Sequence, residues 1–399
     1  MDATQVCGEA VGTVGLRDYK ITAMVLQGGG ALGSYQAGVY QGLAEAGIHP
    51  NWVAGISIGA LNAAVIAGNP PEQRVEKLDA FWRHICRPPV LPPITPFGER
   101  TPPRQLPELP TFLRSWLDAL EASRALLEGQ NGFFVPRAWP ALAIPQDRPD
   151  KASFYDTGLL RRTLEQFADF DRINRSAEMR VSVGAVNIRT GNFSFFDNTT
   201  TVLKPEHFMA SGALPPGFPA VEIEAGEFYW DGGLVSNTPL AHVLADTPRR
   251  DALIFQIDLW SASGPIPDTL AKVATRQKDI QYSSRTRLVT DLMAEQQRFR
   301  HLLQDVLDLV PEDARNHPAV LEAREQSCDA RRSLIHLIYR DKPYEGNTKD
   351  FQFGALTMRE HWDSGLTDIR DTLKRCDWPT RPSGDEPFRT FDIHRIRGD

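Results

Sequence analysis

Ser57 stands in the run Gly55-Ile56-Ser57-Ile58-Gly59. The residues before it, Trp52-Val53-Ala54, read as a short buried strand, and residues 60–67 read as a buried helix. A serine at a sharp strand-to-helix turn, with glycine two residues to either side, is the pattern of a nucleophile elbow. Glycine is what fits where such a turn crowds the backbone. The helix that follows would aim its positive N-terminal end at the place where negative charge develops as an ester is attacked. Taken alone, the pentapeptide fits a glycine-rich turn in a buried α/β unit equally well.

A second glycine-rich stretch, Gln27-Gly28-Gly29-Gly30-Ala31-Leu32-Gly33, follows the apolar run of residues 21–26. Gly28, Gly30 and Gly33 match a dinucleotide fingerprint, which also wants an acidic residue about 20 positions on, at the end of the next strand. Here that strand ends in Gly55-Ile56-Ser57, and Glu45 falls too early, inside a helix. The preferred reading is an oxyanion site, because consecutive glycines let backbone N–H groups converge on one oxygen.

Ser57 needs a base within hydrogen-bond reach. The chain has nine histidines, none in a glycine-rich context at a strand end. His242 comes nearest and reads better as a packed or surface histidine on a helix. Asp231, in Asp231-Gly232-Gly233 after the apolar Phe228-Tyr229-Trp230, is the better base. Buried beside Ser57 and away from cations, its proton affinity would rise. The competing reading is a turn aspartate before two glycines.

These residues need elements to hold them. The apolar spacing predicts a central strand over 21–26 and a helix over 34–46 stopped by Gly47. It also predicts a helix over 70–83 and another from about 156 to 167. Residues 179–187 and 192–196 read as a hairpin turning near Thr190-Gly191, and residues 252–259 as a further buried strand. Prolines crowd residues 88–150 around one helical segment, 112–127. That insertion reads as a lid over the pocket or as passive packing. From Pro267 the pattern is mostly helical, with further stretches over 318–339 and 358–373, and a polar tail from 377.

Composition bounds the rest. The 399 residues are 41% hydrophobic and 24% charged, enough for one large domain or two. The net charge of -7 argues against a nucleic-acid partner. Cys7, Cys86, Cys328 and Cys376 fit no metal-ligand spacing, so neither a metal nor a cofactor is expected. They read as reduced thiols of a cytoplasmic protein. The N-terminal residues lack the apolar core of a secretory signal. Trp52 to Gly68 is nearly continuous apolar sequence, but it is short for a membrane span, holds Ser57 and Asn62, and has no basic N-terminal flank.

The three stretches Gly28-Gly29-Gly30-Ala31-Leu32-Gly33, Gly55-Ile56-Ser57-Ile58-Gly59 and Asp231-Gly232-Gly233, each at a strand end and in this order, resemble the patatin-like phospholipase family. The resemblance spans about residues 21–260, and the loop of residues 210–219 looks like the family's segment before its catalytic aspartate. It implies an α/β fold of three layers, α/β/α, and a Ser-Asp dyad. Ser57 would be the nucleophile, Asp231 its base, and Gly28, Gly29, Gly30 and Ala31 the oxyanion N–H donors. The implied organisation is a hydrolase domain over 21–265, a mostly helical C-terminal extension over 266–376, similar to one seen in some bacterial members, and a tail over 377–399. Leu32 departs from the basic residue the family usually carries there. The expected substrate is a lipid ester, met by a soluble protein or at a membrane or granule surface. Other hydrophobic esters, such as polyhydroxyalkanoate or hydroxyacyl oligomers, are a second expectation. A surface-binding protein with vestigial catalysis is a third.

Overall fold

The computed structural model describes residues 19–86, 110–137, 148–175, 177, 179–283, 286–375, 381–382 and 386–392. Residues 1–18, with Cys7 among them, much of the proline-rich insertion, and Cys376 lie outside them.

In chain order the first half runs β1 (Ile21–Leu26), α1 (Ser34–Glu45), β2 (Trp52–Gly55), α2 (Ile58–Ala67), α3 (Arg74–Ile85) and α4 (Thr111–Glu128). Two short strands follow, β3 (Val135–Pro136) and β4 (Tyr155–Asp156), then α5 (Gly158–Phe167) and α6 (Phe170–Arg175). The next elements are β5 (Arg180–Asn187), β6 (Phe193–Asp197), α7 (Pro205–Ser211), β7 (Val221–Glu224), β8 (Glu227–Asp231), α8 (Leu240–Leu244) and β9 (Ala252–Asp258). The chain continues through α9 (Leu270–Tyr282), α10 (Thr286–Asp308), α11 (Pro318–Gln326), β10 (Arg332–Ile338), α12 (Ala355–Leu373) and β11 (Phe388–Asp392).

Nine strands form one mixed sheet in the order β11-β10-β9-β1-β2-β5-β8-β7, with β6 also paired to β5. The six strands from β11 to β5 pair in parallel. The hairpin partner β6 and the pair β7–β8 are antiparallel. Alternate residues of β1 face opposite layers, as a strand's period of two requires. Ile21, Ala23 and Val25 join an apolar cluster with Leu240, Val243 and Leu244 of α8. Met24 and Leu26 join the larger cluster beneath α1, α2, α3 and α12. The sheet is therefore covered on both faces, and the three-layer fold is the one the resemblance implies.

The C-terminal region is helical but does more than extend. The stretch 318–339, expected as one helix, divides into α11 and β10. Strand β10 pairs in parallel with β9 over its whole length, and β11, within the expected polar tail, pairs with β10. The sequence 332–338 is apolar at 334, 335, 337 and 338, a short run whose period cannot separate a buried strand from a helix. Sandwiched between neighbours and covered on both faces, it is a strand. Strand β7 is a second element that the sequence analysis left unassigned.

Helix α12 docks on α1 by close backbone approach. A Cβ on Gly38 would lie 1.9 Å from the Trp362 carbonyl oxygen, and one on Gly365 would lie 2.0 Å from the Tyr35 carbonyl oxygen. Trp52–Gly68, which could be mistaken for a membrane span, is β2 running into α2 in the core. Among the described residues no helix is long and apolar enough to cross a membrane.

Candidate active site

The parallel register sets the site. Leu26 pairs with Gly55 on one side and Ile257 on the other. The glycine loop after β1, the turn after β2 and Trp260 after β9 therefore emerge side by side at the carboxyl edge of the sheet, where open α/β sheets build their crevices. Strand β8 arrives from the opposite direction. It ends with Asp231 opposite Ala185, two residues beyond Val183, which is the partner of Gly55.

Ser57 has φ 55° and ψ −126°, the single left-handed φ at a non-glycine position among the described residues. Strain of this kind persists only where the surroundings fix it. The Ser57 N–H donates to Ser211 Oγ at 2.9 Å, and Ser211 Oγ donates to the Gly184 carbonyl at 2.6 Å. The fully buried Ser211 thus ties the elbow to β5. Ser57 is also the N-cap of α2, so the helix's positive end lies beside its side chain.

The Ser57 side chain is within hydrogen-bonding reach of Asp231. Asp231 is 3% exposed. Burial pushes its carboxyl up to about 7, against the opposing hydrogen bonds from the Gly233 N–H and from Ser57. The Gly233 N–H donates to Asp231 Oδ1 at 2.7 Å, and the Asp231 N–H donates to the Ala213 carbonyl at 3.0 Å. The Asp231 carboxylate is therefore held at side chain and backbone, and the 210–219 segment contributes to holding it.

Ser57, Asp231, Gly28, Gly29 and Gly30 line one cleft of about 670 Å³ that opens in part to solvent. Ala31 is outside its lining. The Gly28 N–H, expected to be free, donates to the Asn237 carbonyl at 3.2 Å. Among the described residues the N–H groups of Gly29 and Gly30 have no protein acceptor. Only glycine fits at 28, where a Cβ would meet Asn237 Oδ1 at 2.4 Å and Ser57 Cβ at 3.0 Å. Gly30, at φ 55°, sits against the Asp350 backbone, leaving 2.3 Å between a Cβ there and the carbonyl oxygen.

The cleft walls are aromatic. Phe133 and Phe134 follow α4, Phe218 comes from the loop before β7, and Tyr282, Phe351 and Phe353 come from the C-terminal region. The extension is thus part of the cleft. Asp350 also lines it, partly buried and bonded to Lys278 Nζ at 2.5 Å. Burial raises the Asp350 carboxyl and Lys278 pulls it back. Leu32 is fully buried in the larger apolar cluster.

His242 is not part of the cleft. Its ring stacks on Phe195 at 3.8 Å, and its Nε2 lies 3.8 Å from Asp197. Cys86 and Cys328 are free and buried. Among the described residues no His, Cys, Asp and Glu group could hold a metal ion.

Ser211, Asn237, Trp260, Tyr282 and Asp350 are site residues that the sequence alone did not single out. Asn237, six residues past Asp231, and Trp260, at a strand's carboxyl end, carry positional signals. Asp350 carries none, since only the fold brings it to the glycine loop.

No curated protein matches this chain. Among solved structures, that of VipD from Legionella pneumophila matches with 14% identity and a TM-score of 0.38, over 89% of this chain and 67% of the other. One family profile, described as patatin phospholipase, matches residues 280–385. Another, described as patatin-like phospholipase, matches residues 24–244. The three glycine-containing motifs fall within the second match, and the chain belongs to the patatin-like phospholipase family.

Proposed function

We propose that this protein is a serine acyl hydrolase that cleaves carboxylic esters of lipids through Ser57 and Asp231. The observation that carries the reading is the strained Ser57, set within hydrogen-bonding reach of a buried carboxylate whose pKa is about 7. A carboxylate in water is too weak a base for a serine hydroxyl, whereas one whose proton affinity is raised toward neutrality serves both as base and as acid.

As Ser57 Oγ attacks the acyl carbonyl, its proton passes to Asp231. The oxyanion is received by the N–H groups of Gly29 and Gly30, with the positive end of α2 behind Ser57. Collapse of the tetrahedral intermediate breaks the bond to the alcohol, which takes the proton from Asp231. The acyl group stays on Ser57. Water then gives a proton to Asp231, attacks the acyl-enzyme and releases the carboxylic acid, and the proton returns to Ser57. Gly28 frames this loop rather than donating, because its N–H is already bonded. The aromatic walls suit an acyl chain, and the chemistry needs no metal or cofactor.

A fluorophosphonate probe and a panel of p-nitrophenyl esters of increasing acyl length test the reading. The wild type should label at Ser57 and hydrolyse the panel, and folded Ser57→Ala should do neither. Turnover by Ser57→Ala would sink the assignment. An inert wild type would favour a binding role.

A further inference from the structure

We propose that Asn237 and Trp260 are positioning residues, which hold the peptide between Gly28 and Gly29 so that the Gly29 N–H faces the oxyanion formed at Ser57. The proposal rests on the acyl-hydrolase reading above.

In a trans peptide the C=O and N–H point in opposite directions. Fixing the Gly28 carbonyl therefore fixes the Gly29 N–H. That carbonyl accepts from Asn237 Nδ2 at 3.0 Å and from Trp260 Nε1 at 2.9 Å, which occupies both of its lone pairs. The need for such a hold follows from the sequence. Three consecutive glycines have little intrinsic preference between the two faces of their peptides. A flipped 28–29 peptide would present a carbonyl dipole to the oxyanion in place of a donor.

The two donors are themselves held. The Asn237 carbonyl accepts the Gly28 N–H at 3.2 Å, so this residue grips Gly28 at both polar groups. Asn237 Nδ2 also donates to the Tyr282 carbonyl at 2.8 Å, at the end of α9. The Trp260 N–H donates to Gln27 Oε1 at 2.9 Å, while Gln27 Nε2 donates to Thr238 Oγ1 at 2.9 Å. Under the Trp260 ring lies the ammonium of Lys349, 4.9 Å from its centroid. The fully buried Lys349 is bonded to Asp279 at 2.7 Å and Asp341 at 2.5 Å. The orientation of one peptide is thus traced back to charged groups of the C-terminal region. Asn237 follows Asp231 by six residues, in the connection from β8 to α8, so one segment carries the base and one clamp of the oxyanion loop.

The test compares wild type, Trp260→Phe and Asn237→Leu on an ester and on its thiono analogue, in which sulfur replaces the carbonyl oxygen. Trp260→Phe keeps an aromatic ring and removes the Nε1–H donor together with one ring of the indole, and the comparison of the two substrates separates the lost donor from the lost packing. A misaimed oxyanion donor should lower kcat on the ester by about 10- to 100-fold with KM little changed, less than the full loss of a donor. The thiono ester should lose far less, because sulfur is a poor acceptor, so the ester-to-thiono rate ratio should collapse. Equal losses on both substrates, or unchanged kcat, would overturn the proposal. A wild type active on esters with unaffected variants sinks only this inference, whereas an inactive wild type sinks the acyl-hydrolase reading. A second measurement needs no variant. When a trifluoromethyl ketone forms its adduct with wild-type Ser57, the Gly29 amide proton should move strongly downfield in the NMR spectrum. A Gly29 amide that does not move would overturn the proposal as well.

Discussion

At the scale of the residue, Asp231 carries opposing demands. Its burial raises the carboxyl to about 7, which suits proton transfer and costs stability. With the ionised carboxylate as the proposed base, kcat/KM should rise with pH and level off above about 7, as an initial-rate pH profile would show. The stability effect has the opposite sign. The folded protein keeps the Asp231 proton between an unfolded pKa near 3.8 and the folded value near 7, so this group's contribution is present below 3.8 and is lost as pH rises through 7. Asp231→Asn removes the charge and still accepts the Gly233 N–H. Its melting temperature should therefore exceed that of the wild type at pH 8 and approach it at pH 4. A variant less stable than wild type at pH 8 would contradict this account of the burial. Ser57 and Asp231 were both legible in the sequence because glycines flank them at strand ends. Ser211 was not, since its partner Gly184 is far away in the chain and serine is common in helices.

At the scale of the element, the strand-loop-helix units β1–α1 and β2–α2 were readable from apolar runs punctuated by glycine. The division of 318–339 into α11 and β10 was not, because a strand covered on both faces loses the alternation that marks it. The docking of α12 on α1 depends on residues with no side chain. Gly38→Ala places a methyl 1.9 Å from the Trp362 carbonyl oxygen, and backbone there cannot give cheaply. Urea denaturation should show a loss of about 1–3 kcal/mol, the usual cost of overpacking. A neutral Gly38→Ala would mean that the two helices are not in register as described. The same helix carries His361, whose Nδ1 lies 3.4 Å from the Ala31 carbonyl, so kcat should fall in that variant too.

At the scale of the molecule, the region after residue 265 is built into the sheet and the cleft. It adds β10 to the fully buried edge of β9, lines the cleft with Tyr282, Phe351 and Phe353, and backs Gly30 with Asp350. A chain ending at 265 should therefore lose cooperative unfolding, as followed by circular dichroism on heating, along with ester hydrolysis. A folded, active 1–265 fragment would show the extension to be dispensable. The sequence marked this region by its helical spacing but could not assign it to the cleft. Nothing local distinguishes Asp350 or Phe353 from other surface-like positions before the chain is folded.

The claim at the centre is that Ser57 and Asp231 act as one unit, and steady-state hydrolysis of a p-nitrophenyl ester by folded Ser57→Ala, Asp231→Asn and the double variant tests it most directly. Each single variant should lose about 10³-fold or more in kcat, and the double variant should lose no more than the worse of the two, because removing either member already disables the pair. A double variant that falls by the product of the single losses, or an Asp231→Asn protein that keeps wild-type turnover, would contradict the account.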